Sequence, residues 1–492
     1  MSTDAPKIRL LEVERYERDV ALRLPFRFGI TTITHASQAV VRVRIALADG
    51  RSEEGVAAEA LGAKWFDKNP NLTDAQNHDQ LRQSLRIAED LYRVQGLATP
   101  FGLFAGACAQ QEARGRDLGL NPLIAAYGPA LLDRAILDAL GRALGVSFPD
   151  LIRRNLAGIA QTDLTPELAG FGLPAFLAAL SPGATIAVRH TVGLADPIAA
   201  ADQTAADRVN DGLPETLEEV VRHYRGRYYK LKVGGATDAD LDRLTRIAAV
   251  LDREAGDYRV TLDGNEQYDD VEGITALWRR MRETPALRRL VEAVLYIEQP
   301  IKRAMALERP VTALSHERPL IIDESDGELS AFPRALSLGY AGVSSKLCKG
   351  LYKSILNAAR AARLNADAGR PAAFLSGEDL TVWPGIALQQ DTALVSLLGL
   401  EHVERNAHHF IDGMGFAPAH EQAGFRAAHP DLYEQAPGHP VRLRIRDGRI
   451  ATGSLACPGF AVGAPVDFAS MRPMPEPPRT RVDAPEPAGA TA

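Results

Sequence analysis

Cysteine is scarce in this 492-residue chain, and the three present, Cys108, Cys348 and Cys457, fall in no short CxxC spacing. That argues against a cysteine zinc site or a dithiol redox pair and leaves reduced, buried thiols as the expectation. No window approaches the roughly 18 uninterrupted apolar residues that a membrane helix needs. The first twenty residues, MSTDAPKIRLLEVERYERDV, carry alternating charges where a secretory leader has an apolar stretch. A soluble, cytoplasmic protein with no membrane partner is expected. Lys and Arg form no cluster: the net charge is −7 with both signs mixed along the length, so nucleic acid is not an expected partner. The chain also lacks an HExxH pair and a phosphate-type glycine loop after its first barrel-like strand.

What is present is a large apolar content, 46% of residues, enough for two domains, one of them a barrel of roughly 250 residues. Val41, Val43, Ile45 and Leu47 alternate with Arg42, Arg44, Ala46 and Ala48 before an Asp49-Gly50 turn, which predicts a half-buried antiparallel strand. A similar strand and turn in VRLRIRDGRI (441–450) predicts that the two ends of the chain pair in one α+β domain. Between about 75 and 160 the period is helical, with Leu132, Ala135, Ile136, Ala139 and Ala143 on one face. From about 185 to 410, short apolar runs alternate with amphipathic stretches, the texture of repeated βα units. The candidate strands TIAVRHTVG, YYKLKV, YRVTLD, AVLYIE, PLIID, AGVSSK, AAFLS and HVERN number eight, as a barrel requires. In DADLDRLTRIAAVL, Leu241, Leu244, Ile247, Ala248 and Leu251 share a face behind Thr237 or Asp238 as cap. The fold class predicted is an α/β TIM-type barrel, (β/α)7β-like, with an α+β capping domain. The boundaries are 1–184 for the N-terminal part of the cap, 185–430 for the barrel, 431–470 for a C-terminal segment completing the cap, and 471–492 for a loose tail. Six prolines between 473 and 487 mark that tail.

Several candidate strands end in a charge directly after an apolar run: Lys230 and Lys232, then Asp263, Glu298, Asp323 and Lys346. Strand ends of a barrel converge at one mouth, so these residues are brought together. Lys230 and Lys232 lie two apart and share one side of their strand. Three carboxylates without cysteine or a histidine pair suit a hard, oxygen-preferring cation: Mg²⁺ first, Mn²⁺ as the alternative. Such a set fits removal of the weakly acidic proton beside a carboxylate, because the enediolate formed carries charge that must be stabilised. A divalent ion about 4 Å from that charge is worth roughly 8 kcal/mol at an effective dielectric of 20, near the low end of what enzymes supply. A positioned base is therefore also needed. Lysine serves when its amine is neutral, which a nearby cation and a second ammonium promote.

The runs YYKLKVGG, TLDGNEQY, YIEQP, IIDES and SSKLCKG, in that order, resemble the enolase superfamily, specifically its muconate lactonizing enzyme subgroup. Steps of 31, 35, 25 and 23 residues, counted from Lys232, are each close to one βα unit. The likeness extends to GPALLDRAILDALGRALG before the barrel and PFRFG at 25–29. It implies Asp263, Glu298 and Asp323 as Mg²⁺ ligands, and Lys232 and Lys346 flanking the substrate's α-carbon from opposite faces. Lys230 would support the carboxylate. Lysine bases working with Mg²⁺ are the known pattern of that superfamily. SGEDL stands where the mandelate racemase branch normally has a histidine, which points away from acid-sugar dehydratases. Further substrate-contact candidates are Glu378, which with Asp379 could instead steer a lysine, Asn265 of the Asp-x-Asn motif, His408 and Phe26, the last with Arg27 and Phe28 as a cover over the mouth. For His408, Asp379, His409, Lys349 and Gly234-Gly235, solvent, packing or a simple turn is the competing account. The implied activity is racemisation or epimerisation of a small carboxylate. A dehydratase or cycloisomerase using the same intermediate is the alternative, and a non-catalytic barrel the remote one; a homo-oligomer is compatible with all three.

Overall fold

The computed structural model describes residues 5–28 and 31–478. Three antiparallel strands open the chain, β1 (Ile8–Phe28), β2 (Thr31–Leu47) and β3 (Ser52–Ala60). Along β2, Val41, Val43, Ile45 and Leu47 are buried as their alternation predicts, and Gly50 takes a φ of 90° in the turn that follows. Four helices come next: α1 (Ala63–Phe66), α2 (Asp74–Gln95), α3 (Pro100–Asp117) and α4 (Pro122–Leu144). Each of the longer three starts on a side-chain cap. Thr73 forms a reciprocal pair with Gln76, Thr99 accepts from Gly102 N, and Asn121 accepts from Ile124 N. The apolar face predicted for α4 is buried, but so is nearly all of its circumference, because it is sandwiched between β3 and helices α2 and α3. That contact depends on Gly55. A Cβ there would stand 2.2 Å from Ala135 O and Ala139 N of α4.

All eight predicted strands of the barrel form: β4 (Thr185–Val192), β5 (Tyr228–Lys232), β6 (Arg259–Asp263), β7 (Val294–Glu298), β8 (Leu320–Ile322), β9 (Gly342–Ser345), β10 (Phe374–Gly377) and β11 (His402–Arg405). Each is parallel to the next, and β11 pairs with β4 to close the ring. In the helix Thr237–Glu254 the five predicted apolar positions are buried. Its cap differs from expectation, since neither Thr237 nor Asp238 caps it. Instead Asp240 accepts from Gly234 N at 2.7 Å and Gly235 N at 3.0 Å, which makes that glycine pair a turn. No disulfide is formed; the three cysteines are free, Cys348 buried and the others partly so.

The C-terminal segment departs from the predicted pairing. It contributes β12 (Tyr433–Glu434), β13 (Arg442–Leu443), β14 (Arg449–Ala451) and β15 (Arg472–Pro473). β13 pairs with β12, and β14 runs antiparallel to β4 instead of joining the N-terminal sheet. The reason is a free edge: β5 pairs with β4 only from Arg189 onward, so Thr185 to Ala187 would lack a partner there. The strand that does reach the N-terminal sheet is β15, which covers the edge of β1 through Tyr16↔Pro473 and Glu17↔Arg472. Residues 471–478 of the supposed loose tail are therefore built into the fold, with Met471 and Met474 buried; residues 479–492 lie outside the described residues. One apolar cluster runs from β1 and β2 through α2 and α4 into the helix Leu351–Ala368 of the barrel, and it fixes the cap over one end of the ring.

Candidate active site

β5 to β9 all deliver charge to that end. Lys230 and Lys232 point inward from β5; Asp263 and Glu298 are the last residues of β6 and β7; Asp323 and Lys346 follow β8 and β9 directly. All six are buried, between 0% and 5% exposed, and are held by one another. The ammonium of Lys230 lies 2.9 Å from Asp263, 2.8 Å from Glu298, 2.8 Å from Glu378 and 2.9 Å from Glu404. Lys232 Nζ is 2.5 Å from Asp263 Oδ2, and Lys346 Nζ is 2.6 Å from Asp323 Oδ2. Lys349 is buried too. It donates to Ser344 Oγ at 2.6 Å and lies 3.3 Å from Asp323 and 3.1 Å from Asp326.

The backbone beneath this cluster is strained in a localised way. Asn265, Glu266 and Gln299, just past β6 and β7, take φ values of 39°, 69° and 31°. The side chain of Gln299 ties the next strand end in place: its Oε1 accepts from Asp323 N at 2.7 Å and Ser325 N at 3.1 Å.

Burial disfavours every one of these charges, and the neighbours decide which survive. Burial would discharge Lys230, but Asp263, Glu298, Glu378 and Glu404 overcome this and hold it well above the usual lysine range. Lys346 is likewise held up by Asp323, although Lys230 works in the other direction. The expected depression of a base by a second ammonium is thus present but outweighed. Asp323 is kept below the usual carboxylate range by Lys346 and Lys349 despite its burial, and Glu404 by Lys230, Lys232 and Lys346. Glu298 goes the other way: burial, then Asp263 and Glu378, push it well up. Lys230 approaches Glu298 off hydrogen-bonding geometry, so neither oxygen of this buried carboxylate accepts a hydrogen bond.

The resemblance read from the sequence implies a divalent cation, and the donor chemistry suits one. Asp263, Glu298 and Asp323 offer only oxygen, from three adjacent strands, and Glu298 brings two oxygens with no donor. Among the described residues no three acidic, histidine or cysteine side chains already form a cage. Lys230 bridges Asp263 and Glu298 while Lys346 holds Asp323, so the lysines carry the positive charge that a cation would share.

Above the cluster, between barrel and cap, lies a cavity of about 450 Å³. Lys230, Lys232 and Lys346 form its floor with Asn265, Glu404 and Asn406. Its roof comes from the cap, including Phe26, Ile33 and Trp65, whose ring centroid is 4.4 Å from the Lys346 ammonium. Of the predicted substrate contacts, Phe26 and Asn265 line this space. Glu378 does not: it is fully buried below the floor, bonded to Lys230, Arg189 and, at 2.9 Å, to Tyr296. His408 is elsewhere, packed against β4 with its Nε2 3.3 Å from His190 Nδ1, and burial and neighbouring cations keep it uncharged. Arg27 is exposed, and the side chain of Phe28 lies outside the described residues. Glu404 and Asn406 were missed: HVERN offers only Val403 before the charge, so the rule that found the others does not reach it.

Neither a protein-family model nor a curated protein matches this sequence. Solved structures do match in fold. Muconate lactonizing enzyme from Mycobacterium smegmatis, solved with muconolactone, is 17% identical over 94% of this chain and 99% of its own, with a TM-score of 0.59. A dipeptide epimerase from Enterococcus faecalis, solved with Mg and the dipeptide L-Leu-L-Tyr, is 14% identical over 92% and 99%, with a TM-score of 0.58. An enolase from Bradyrhizobium complexed with magnesium and mandelic acid is 15% identical over 94% and 97%, with a TM-score of 0.57. The capped barrel found here is therefore the fold of these structures. Among the described residues no helix is long and apolar enough to cross a membrane.

Proposed function

We propose that this protein abstracts the proton α to the carboxylate of a small substrate through an enediolate, and that it acts as a racemase or epimerase. One observation carries the reading: Lys232 and Lys346 line one cavity from β5 and β9, the second and sixth strands of an eight-strand ring, and so face each other across the barrel mouth. Two amines on opposite sides of one carbon allow a proton to be taken from one face and returned to the other, which inverts the centre. Lys346, held protonated by Asp323, is poised to deliver. Lys232 is placed to accept. Lys230 lies on the floor between its four carboxylates and presents positive charge to the substrate carboxylate. Phe26 and Trp65 close the space from above and limit water. Asp263, Glu298 and Asp323 would hold Mg²⁺. The bound cation supplies electrostatic stabilisation of the charge that develops when the proton leaves.

The test is α-proton exchange in deuterated water over a panel of chiral carboxylates, with and without chelator, read by NMR and chiral analysis. Metal-dependent exchange with inversion is expected for members of the panel, and its loss when Lys232 and Lys346 are both replaced by alanine. Exchange that persists unchanged in the double variant would refute the assignment of the bases. A new alkene or lactone in place of the inverted acid would assign a lyase.

A further inference from the structure

Arg303 opens the short helix Arg303–Ala306 after β7, outside the cavity, and the catalytic reading gives it no part. Its guanidinium spans barrel and cap. On the barrel side, Nε and Nη2 each donate at 2.8 Å to Glu266 in the loop after β6, a two-pronged pairing that fixes the plane of the group. The backbone N of Arg303 adds a third bond to Glu266 Oε1 at 2.8 Å. On the cap side, Nη1 donates to Phe66 O at 2.7 Å and Nη2 to Trp65 O at 2.8 Å. Lys68 reaches back from the cap: it meets Glu266 at 2.6 Å and donates to Asn265 O at 2.7 Å. Glu266 is therefore pinned from both sides, which accounts for a non-glycine residue staying at a φ of 69°.

The carbonyls that Arg303 holds belong to α1, a single turn with no side-chain cap at its start. A turn this short has little stability of its own, so its place over the barrel depends on what holds it. Asn121 also donates to Phe66 O, at 2.9 Å, but it comes from the cap itself. Arg303 is the guanidinium that ties α1 to the barrel. What α1 presents to the mouth is the Trp65 ring, 4.4 Å from the Lys346 ammonium. An indole face at that distance attracts the ammonium and shields it from water. It touches one of the two amines proposed to carry the proton.

Resting on the catalytic reading above, we infer that Arg303 is a positioning residue: through the carbonyls of Trp65 and Phe66 it sets the Trp65 ring against Lys346 and keeps that amine aimed at one face of the substrate's α-carbon. Releasing it impairs one face of the reaction more than the other. Lys232 still takes the proton from the face it meets, and a solvent deuteron still returns there, so one enantiomer goes on exchanging. Removal from the opposite face, and delivery to it, weaken with Lys346.

The test compares the full chain as wild type, Arg303→Met, Trp65→Leu and the double variant, in Mg²⁺ buffer, with the chiral carboxylate that exchanges fastest in the panel above. Acrylamide quenching of tryptophan emission reports on Trp65, since the three tryptophans are all buried and the double variant removes its share. Deuterium incorporation is followed by NMR from each enantiomer separately, with chiral analysis of the product. Arg303→Met should raise quenching, and the rise should be absent from the double variant. Exchange from the enantiomer facing Lys346, and inversion, should fall on the order of tenfold, the size of a desolvated cation–π contact, while exchange from the other enantiomer holds. Trp65→Leu should show the same asymmetry with the Arg303 bonds intact. Unchanged quenching in Arg303→Met overturns the inference, as does equal slowing of both enantiomers or slowing of neither. Should Arg303→Met fail to fold, Arg303→Lys, which keeps the charge and lacks the fork, is read in the same way. A wild type that exchanges neither enantiomer sinks the catalytic reading, and quenching then decides whether Arg303 holds Trp65.

Discussion

Replacing Lys230 by methionine, similar in length and uncharged, probes the charge balance of the mouth most directly. Four carboxylates lie within 2.8–2.9 Å of its ammonium. At 3 Å and an effective dielectric of 20, each pair is worth roughly 5–6 kcal/mol before desolvation, and most of that is offset by the cost of burying the charges. What remains measurable is the penalty for leaving buried partners without their counter-charge, about 3–5 kcal/mol. A folded chain of this size unfolds with an entropy on the order of 1 kcal/mol/K, so the melting midpoint should fall by about 3–5 °C in chelator. The variant also frees Asp263 and Glu298 from their bridging ammonium. Mg²⁺ binding only the native state then adds stability according to its affinity, and the gain should be larger in the variant than in the wild type. Scanning calorimetry of both proteins, in chelator and in millimolar Mg²⁺, reads both effects. An unchanged midpoint in chelator would show that the mouth is not balanced by Lys230. Equal Mg²⁺ shifts in the two proteins would remove Asp263 and Glu298 from the ligand set.

Gly55→Val forces β3 and α4 apart, since its Cβ alone would sit 2.2 Å from backbone atoms of the helix; a loss of about 3 kcal/mol or more is expected by chemical denaturation, and a wild-type midpoint would refute the close contact. Asp196 accepts from Gly193 N at 2.7 Å and is pushed up to about 6 by burial, so the native state keeps its proton to higher pH than the unfolded chain does. The stability it contributes below about pH 4 is lost as pH rises to about 6. Asp196→Asn keeps the acceptor and lacks the charge. Its stability relative to wild type should therefore climb by on the order of 2–3 kcal/mol across that window and then level off, and parallel pH profiles would contradict the assignment.

Most of the barrel could be read from the chain because its grammar is local. A buried parallel strand is a short apolar run, and the residue that ends it at the mouth is free to be charged. Lys232, Asp263, Glu298, Asp323 and Lys346 all obey that rule, and the structure gathers them. Glu404 escapes it, because HVERN offers only Val403 before the charge, and two histidines follow. Period-two alternation settles which matters. Glu404 and His402 lie on the same strand side, with Glu404 nearer the mouth, whereas His408 belongs to the next short helix and turns toward β4. Glu378, weighed as a substrate contact or as a carboxylate that steers a lysine, does the second through Lys230. Sequence marks a carboxylate at a strand end but not whether it faces the cavity or the lysine beneath it.

The features that stayed hidden are those fixed by long-range charge and by edges, which leave no period to detect. Arg472 and Pro473 carry no strand signal, and proline would ordinarily argue against one. They pair with β1 because Arg472 meets Glu17 at 2.6 Å, and Glu17 is itself buried against Arg82 at 2.7 Å. Removing a guanidinium from a buried carboxylate is costly. The strap is therefore tied to the cap's charge balance as much as to backbone pairing. The same logic governs the mouth. Each lysine and acid there is an ordinary strand-end residue when read singly, and the arrangement acquires chemical meaning only when closure of the ring through β11 and β4 forces amines and carboxylates into a space where none can be solvated. Function in this chain is thus carried by a charge pattern that the local sequence can propose residue by residue and that only the closed topology can balance.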